Sequence, residues 1–280
     1  MLFRTYRPRA PLCEFVSDLW LYENYESDHQ RELILPSGTF EMVFNLQEDE
    51  LRIYSPEQPK ACRRFGGALV SGPYAGSFMS DVAEERAILG VHFKPGGAFA
   101  ILGIPANEFR DLHVDLTDIW GSAASTLHQR LGALTEATQR FQLLEQVLMQ
   151  RLLTNPNGHA AVRVALDILA RRHGQVKTRE IASVVRLSQR RFIELFASEV
   201  GLTPKLFGRV RRFLHVVDQS RGGADWAQLA FQCGYFDQAH LIRDFVAFAG
   251  VTPAEYRRRQ AQLERSGAHI KRHHLPVAAQ

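Results

Sequence analysis

Two segments of the chain carry side chains whose types and spacing suit contacts with the edges of DNA bases. The candidate base contacts are Gln189, Arg190, Ile193 and Glu194 in the first segment, and Gln238, Ala239, Ile242 and Arg243 in the second. Glutamine can pair with adenine, arginine with guanine and glutamate with cytosine, while alanine and isoleucine can meet a thymine methyl group. A glutamate also repels phosphates, so we expect the second segment to be the better reader.

These segments occupy equivalent places in an internal repeat that runs from Ile181 to Tyr256. The copies are offset by 48 residues at the front and 49 at the back, so one residue is inserted in the second copy. Each copy predicts a helix, a tight turn and a second helix. The predicted N-caps are Thr178, Ser188, Asp225 and Asp237, and the predicted C-terminal glycines are Gly201 and Gly250. A helix-turn-helix places its second helix in the major groove, whereas the alternative is an ordinary helical bundle with solvated charges.

A third helix is predicted between the two copies, from Thr203-Pro204 to about Ser220. Sixteen or so residues span about 24 Å, a spacer that could hold two reading helices near one DNA turn apart, about 34 Å. The predicted phosphate contacts are Arg191, Lys205, Arg209, Arg211, Arg212 and His240.

The repeat resembles the DNA-binding domain of the AraC/XylS family of bacterial transcription regulators, from about Val162 to Arg258. The carrying residues are Ile181-Ala182, Leu187-Ser188, Phe192, Phe196 and Gly201, then Leu229-Ala230, Gly234 to Leu241, Arg243 to Phe245, Gly250 to Pro253 and Tyr256-Arg257. The resemblance implies a sequence-specific regulator of transcription that binds double-stranded DNA, with RNA polymerase as a potential partner. Arg186 departs from the pattern, because glycine is common at that turn position, and so does the pair Ile193 and Glu194.

Charge is distributed unevenly along the 280 residues. From His159 onward there are 20 Lys and Arg against 10 Asp and Glu, whereas the preceding part has 14 against 20. A basic C-terminal half suggests that this end meets a polyanion. The three cysteines lack a CxxC spacing, which disfavours a disulfide framework or a zinc site. No signal peptide and no apolar run of about 20 residues is present, so we expect a cytoplasmic protein without a membrane segment.

The N-terminal half has short alternating segments typical of β-strands. We expect strands at 40–47, 51–54, 68–71, 77–81 and 86–93, and short helices at 98–102 and 115–120, the second capped by Asp115. The motifs Leu35-Pro36-Ser37-Gly38, Val43-Phe44-Asn45, His92 to Gly97 and Asp118 to Gly121 resemble the β-barrel sensor half of AraC-type regulators. That resemblance implies binding of a small effector, dimerisation, or both, with the effector's contact residues unassigned.

Two further helices are expected at 122–134 and 136–153, each with a stripe of leucines. The stripes could pack on the β-rich core or form a dimer seam, so both a monomer and a homodimer stay open.

An enzymatic or metal-binding role for the N-terminal half is the competing interpretation. Its histidines, His29, His92 and His113, form no H-x-H pair and have no carboxylate at a ligand spacing. His92 is better explained as a hydrogen-bonded core or pocket-wall residue. The run from Lys94 to Gly97 lacks the phosphate-loop pattern, and no catalytic triad can be assigned. We therefore expect no catalytic residue, metal or cofactor. The alternative is a small-molecule-binding or metal-dependent barrel with a vestigial DNA-binding domain.

The predicted fold is α+β with two domains. Residues 1–153 form a β-barrel or cupin-like sensor and dimerisation domain that ends in a helical pair. Residues 154–158 form a linker, 159–258 an all-α domain of two helix-turn-helix units joined by a linker helix, and 259–280 a basic disordered tail.

Overall fold

The chain folds into a β-rich N-terminal part and a helical C-terminal part, which confirms the predicted α+β two-domain class. The computed structural model describes residues 2–24, 29–82, 87–152, 158–220, 223–266 and 274–277. Of the predicted linker at 154–158, residues 154–157 lie outside the described residues.

The N-terminal part consists of two antiparallel sheets. The strands are β1 (Leu2–Tyr6), β2 (Val16–Glu23), β3 (Arg31–Ile34), β4 (Glu41–Asn45), β5 (Glu50–Ser55), β6 (Gln58–Gly66), β7 (Ala68–Ser71), β8 (Phe78–Asp81), β9 (Ala87–Phe93), β10 (His113–Asp115) and β11 (His274–Pro276). One sheet has the order β1-β2-β9-β4-β7-β10 and the other β11-β3-β8-β5-β6. Trp20 and Ile88 of the first sheet share a buried cluster with Leu51 and Phe78 of the second.

The expected closed barrel is wrong for the described residues. Closing a sheet into a barrel requires every edge strand to find a partner. Here β1 and β10 end the first sheet, while β11 and β6 end the second. The result is two facing sheets around a shared core. The five predicted strands correspond to β4, β5, β7, β8 and β9.

Four helices cover the outer face of the six-stranded sheet: α1 (Phe99–Leu102), α2 (Leu116–Trp120), α3 (Ser122–Ala133) and α4 (Ala137–Leu152). Leu127 and Leu131 of α3 and Leu144 and Leu148 of α4 lie in one buried cluster with sheet residues. These stripes are therefore engaged within the chain and are unavailable as a dimer seam. Asp115 precedes α2 but does not cap it, because its carboxylate accepts a hydrogen bond from the Gly66 amide at 2.5 Å.

The C-terminal part contains seven helices: α5 (Ala160–Arg171), α6 (Thr178–Val184), α7 (Gln189–Val200), α8 (Pro204–Gln219), α9 (Trp226–Gln232), α10 (Gln238–Ala249) and α11 (Pro253–Ser266). The Ser188, Thr203, Asp225 and Asp237 side chains cap α7, α8, α9 and α10. Thr178 was expected to cap α6 but is its first helical residue, while Lys177 occupies the cap position without a side-chain bond.

The segment after residue 258 differs from the expected disordered tail. Helix α11 continues to Ser266, and β11 pairs with β3 in the five-stranded sheet. The expectation followed from the polar and basic composition and overlooked Leu275, which is completely buried. Residues 267–273 and 278–280 lie outside the described residues.

The two parts of the chain contact each other through a continuous apolar cluster. It joins Leu33 and Leu35 of the β-rich part to helix residues such as Phe207 and Val210, and it includes Leu275. The backbone of Gly38 in the β-rich part lies close to helix α8, since a Cβ on Gly38 would lie 3.2 Å from Val210 Cγ1. The helical domain is thus packed on the β-rich domain.

Candidate nucleic-acid interface

The second helices of the two repeats, α7 and α10, have one buried face and one exposed face. Phe192 and Phe196 of α7 and Leu241 and Phe245 of α10 point inward and are at most 1% exposed. The candidate base contacts lie on the other face, where Ile193 is half-buried and Gln189, Arg190, Glu194, Gln238, Ala239, Ile242 and Arg243 are exposed. Inward apolar residues at i and i+4 therefore turn the polar positions outward.

Both helices end against the β-rich domain. A Cβ on Gly201, which follows α7, would overlap Pro73 and lie 2.9 Å from the Ala106 carbonyl. A Cβ on Gly250, which follows α10, would lie 3.2 Å from Ser77 Oγ. Each helix has 12 residues, so its first turn lies about 18 Å along the axis from this contact. The N-terminal turns, which carry the candidate readers, point away from the β-rich domain.

A cleft of about 980 Å³ lies between the two helix-turn-helix units. Its walls carry cations from the first unit and from α8, namely Lys177, Arg179, Lys205, Arg209 and Arg212. Lys177 and Arg179 were not among the predicted contacts. The signal was present, because they stand at the N-terminus of the first helix of a helix-turn-helix, the helix that crosses the DNA backbone.

Asp244 on α10 holds two of the predicted phosphate contacts. Its buried carboxylate accepts from Arg209 Nη2 at 2.7 Å and from Arg212 Nη2 at 3.3 Å. Arg212 also donates to the Gly234 carbonyl and lies over the Tyr235 ring, 4.2 Å from its centroid. Only 16% of the Arg212 side chain is exposed, so this residue braces α8 against the second unit.

The remaining predicted phosphate contacts are distributed differently. Arg191 and Lys205 are exposed, while Arg211 and His240 are half-buried. The His240 ring meets the Tyr235 ring edge-on, with centroids 5.2 Å apart. In the first unit Arg190 donates to Glu194 at 3.0 Å, so this glutamate carries its own counter-charge on the same helix face.

The turns of the two units use the same backbone conformation with different residues. Arg186 has φ +56° and Gly234 has φ +71°. Left-handed backbone is costly for a residue with a Cβ and costs glycine nothing. A Cβ on Gly234 would also overlap the Gln175 side-chain amide, which would have to move aside.

The β-rich domain contains a small cavity of about 70 Å³ beside the domain interface. Its lining includes Ser37, Glu41, Tyr74, His92 and His274. The His92 ring lies 2.8 Å from Asp18 and 3.0 Å from Glu41. Burial lowers the pKa of His92, but the two carboxylates outweigh it and raise this pKa to about 10. His92 is therefore a cation, and it lies at the cavity wall, one of the two positions expected for it.

A second histidine beside this cavity, His113, is neutral. Its ring lies 2.5 Å from the Tyr74 hydroxyl and 3.3 Å from the Ser71 hydroxyl. Burial, reinforced by the Arg63 charge, lowers its pKa to about 3. Among the described residues no group of three or more His, Cys, Asp or Glu side chains is arranged to hold a metal. None of the described helices is long and apolar enough to cross a membrane.

Comparison with known proteins agrees with this geometry. A family profile for a helix-turn-helix domain, of AraC type, matches residues 181–259, and a profile for a domain of unknown function, DUF6597, matches residues 4–115. No curated protein matches the chain. Among solved structures, ToxT from Vibrio cholerae is 10% identical, with 91% of this chain and 98% of that chain covered and a TM-score of 0.47. ToxT bound to an unsaturated fatty acid is also 10% identical, with 85% and 93% covered and a TM-score of 0.45.

Duplicated capped helices with exposed polar faces, beside a basic cleft, define a helix-turn-helix DNA-binding protein. Residues 181–259 form a helix-turn-helix DNA-binding domain of AraC type, and the chain is a DNA-binding transcription regulator. Regulators with this type of domain are generally not enzymes.

Proposed function

We propose that the chain reads one DNA half-site with two helices placed in successive turns of the major groove. The observation that carries this proposal is that both reading faces are exposed on one domain while both helix ends are fixed to the same support. The linker helix α8 has 16 residues, about 24 Å, which suits a spacer between adjacent major-groove sites. Gln238, Ala239, Ile242 and Arg243 are the principal readers, with Gln189, Arg190, Ile193 and Glu194 contributing less.

Phosphate contacts supply affinity without sequence preference. We assign this role to Arg191, Lys205, Arg209, Arg211, Arg212 and His240, and add Lys177 and Arg179 from the cleft. Since Arg209 and Arg212 already neutralise Asp244, their free charge toward DNA is smaller than that of Lys205. The DNA strand between the two grooves would cross this cleft.

Selection of bound sequences from a random duplex pool tests the proposal directly. Two reading helices in successive grooves should yield two conserved blocks, with centres about one helical turn or 10.5 base pairs apart. Arg243→Ala should relax the sequence preference at one base pair, in one of the two blocks only. A single block, or no enrichment at all, would contradict reading by two helices.

We also propose that the cavity beside His92 receives a small polar effector. Its walls combine the cationic His92, the carboxylate of Glu41 and the hydroxyls of Ser37 and Tyr74. Its walls also include Leu35, which belongs to the apolar cluster shared with the DNA-binding helices. A ligand held here could therefore alter the contact between the domains. Glu41→Gln and Ser37→Ala should each change the response of DNA affinity to the effector without changing affinity in its absence.

RNA polymerase and a second copy of the chain are further proposed partners. We place the protein in the cytoplasm because its DNA target lies there. The alternative function, a metal-dependent β-rich domain with a vestigial DNA domain, predicts stoichiometric metal in the purified protein. Metal analysis together with a salt-dependent DNA-binding assay separates the two functions.

A further inference from the structure

The C-terminal strand β11 bridges the two domains of the chain. It pairs antiparallel with β3 through His274 with Ile34, Leu275 with Leu33, and Pro276 with Glu32. The Val277 amide donates to the Arg31 carbonyl at 2.9 Å and extends the pairing by one residue. This strand therefore covers an edge of the five-stranded sheet that would otherwise expose unpaired backbone groups.

Side chains of β11 reach in two directions. His274 Nδ1 lies 2.6 Å from Glu32 Oε2, and the side chain of Glu32 is 4% exposed. Leu275 is completely buried in the cluster that contains Leu33, Leu35 and the DNA-binding helices. On the helical side, Arg259 of α11 donates to the Pro276 carbonyl at 3.3 Å. One short strand is thus bonded to the sensor sheet and to the last helix of the second DNA-reading unit.

The same strand also contributes a wall of the cavity. His274 lines it together with Glu41, His92 and Tyr74, all of which come from the β-rich domain. The loops that complete the lining hold the DNA-binding domain, since Gly38 faces Val210 on α8 and Pro73 faces Gly201 after α7. Cavity shape, tail position and domain docking are therefore set by one group of contacts.

We propose that β11 is an intramolecular clasp that fixes the DNA-binding domain on the sensor sheet and closes the effector cavity. Release of the strand would open one cavity wall and free α11 from the sheet in the same event. The clasp would couple ligand occupancy to the position of the second reading unit. The coupling role rests on the proposed effector site, whereas the clasp itself rests only on the contacts of β11.

Paired truncations of the full chain test the clasp. A chain that ends at Val277 keeps β11 and serves as the control, and a chain that ends at His273 lacks it. Hydrogen exchange of the Arg31 and Leu33 amides, which point from β3 toward β11, should be at least tenfold faster without β11. The radius of gyration should increase because the two domains separate. Leu275→Asp in the full chain should reproduce both changes through burial of an unpaired charge.

DNA affinity separates this proposal from the proposed function. The two helix-turn-helix units share one core through α8, so both truncated chains should bind a single half-site within about twofold of each other. A large loss confined to the chain that ends at His273 would show that β11 belongs to the DNA-binding fold and is not a clasp. Unchanged β3 exchange would also overturn the clasp. If neither truncated chain binds DNA sequence-specifically, the proposed function is refuted. The hydrogen-exchange measurement still tests the clasp in that case.

Discussion

The two helix-turn-helix units share the caps of their second helices, their inward apolar residues and their C-terminal glycines, yet they differ where they meet DNA and α8. Glu194 in the first unit is equivalent to Arg243 in the second, and Leu195 is equivalent to Asp244. The first unit therefore has a self-neutralised pair on its reading face. The second has Arg243, which forms no ion pair with another described residue, beside a carboxylate that binds two arginines of α8. We infer that one duplicated scaffold was adapted to unequal tasks, with the second unit as the principal reader.

The largest expected effect concerns the brace that only the second unit has. Asp244→Asn keeps the shape but removes the charge that compensates Arg209 and Arg212, so unfolding free energy should fall by about 2–3 kcal/mol. Both arginines are partly exposed to solvent, so the expected loss of unfolding free energy is smaller than that for a fully buried ion pair. Urea unfolding measures this change.

Glu194→Gln is the matched control in the first unit. Its partner Arg190 is 91% exposed, so removal of the charge should change stability by less than about 0.5 kcal/mol. If Asp244→Asn and Glu194→Gln lowered the unfolding free energy equally, Asp244 would not brace the second unit more than Glu194 braces the first.

The next effect distinguishes the two reading faces. Arg243→Ala should weaken binding to the selected DNA site by about 1–3 kcal/mol, because a bidentate contact to guanine is lost. Arg190→Ala should cost less, since Arg190 already donates to Glu194. Fluorescence anisotropy with specific and random duplexes measures both variants. Equal losses on the two duplexes for Arg243→Ala would assign Arg243 to phosphate binding.

The turns of the two units should respond in opposite directions when the residue with left-handed backbone is replaced: one replacement should raise stability and the other should lower it. Arg186→Gly should stabilise the chain by about 1 kcal/mol, because glycine adopts the observed φ of +56° without strain. Gly234→Ala should destabilise it by about 1–2 kcal/mol through its left-handed backbone and its overlap with Gln175. Thermal unfolding of both variants gives the comparison. A stability gain from Gly234→Ala would be incompatible with the observed backbone.

The features that could be predicted from sequence are those that depend on residues close to one another along the chain. The repeat, the caps at Ser188, Asp225 and Asp237, and the outward faces of α7 and α10 follow from residue type and spacing within a few turns. Strand β6 gave no signal because Gln58–Gly66 is almost wholly exposed, with no buried alternate face. The brace at Asp244 and the pairing of β11 with β3 involve partners distant in sequence, 32 to 242 residues away. Such contacts become visible only when the chain is folded.

The smallest expected effect concerns phosphate binding, where the two ends of α8 differ. Lys205 is exposed near the first unit, whereas Arg212 is engaged by Asp244, Gly234 and Tyr235 in the second. Lys205→Ala should weaken all duplexes alike and reduce the slope of log K against log salt by about one unit, without a change in stability. Binding measured from low to moderate salt gives this slope.

Arg212→Ala should also flatten the salt slope by about one unit if Arg212 reaches a phosphate, but it should lower unfolding stability as well. The stability loss follows because the buried carboxylate of Asp244 would then depend on Arg209 alone. A stability loss with an unchanged slope would assign Arg212 wholly to the brace. Phosphate binding by α8 would then be concentrated at its N-terminal end, beside the weaker reader, so the first unit would contribute chiefly affinity and the second chiefly sequence choice.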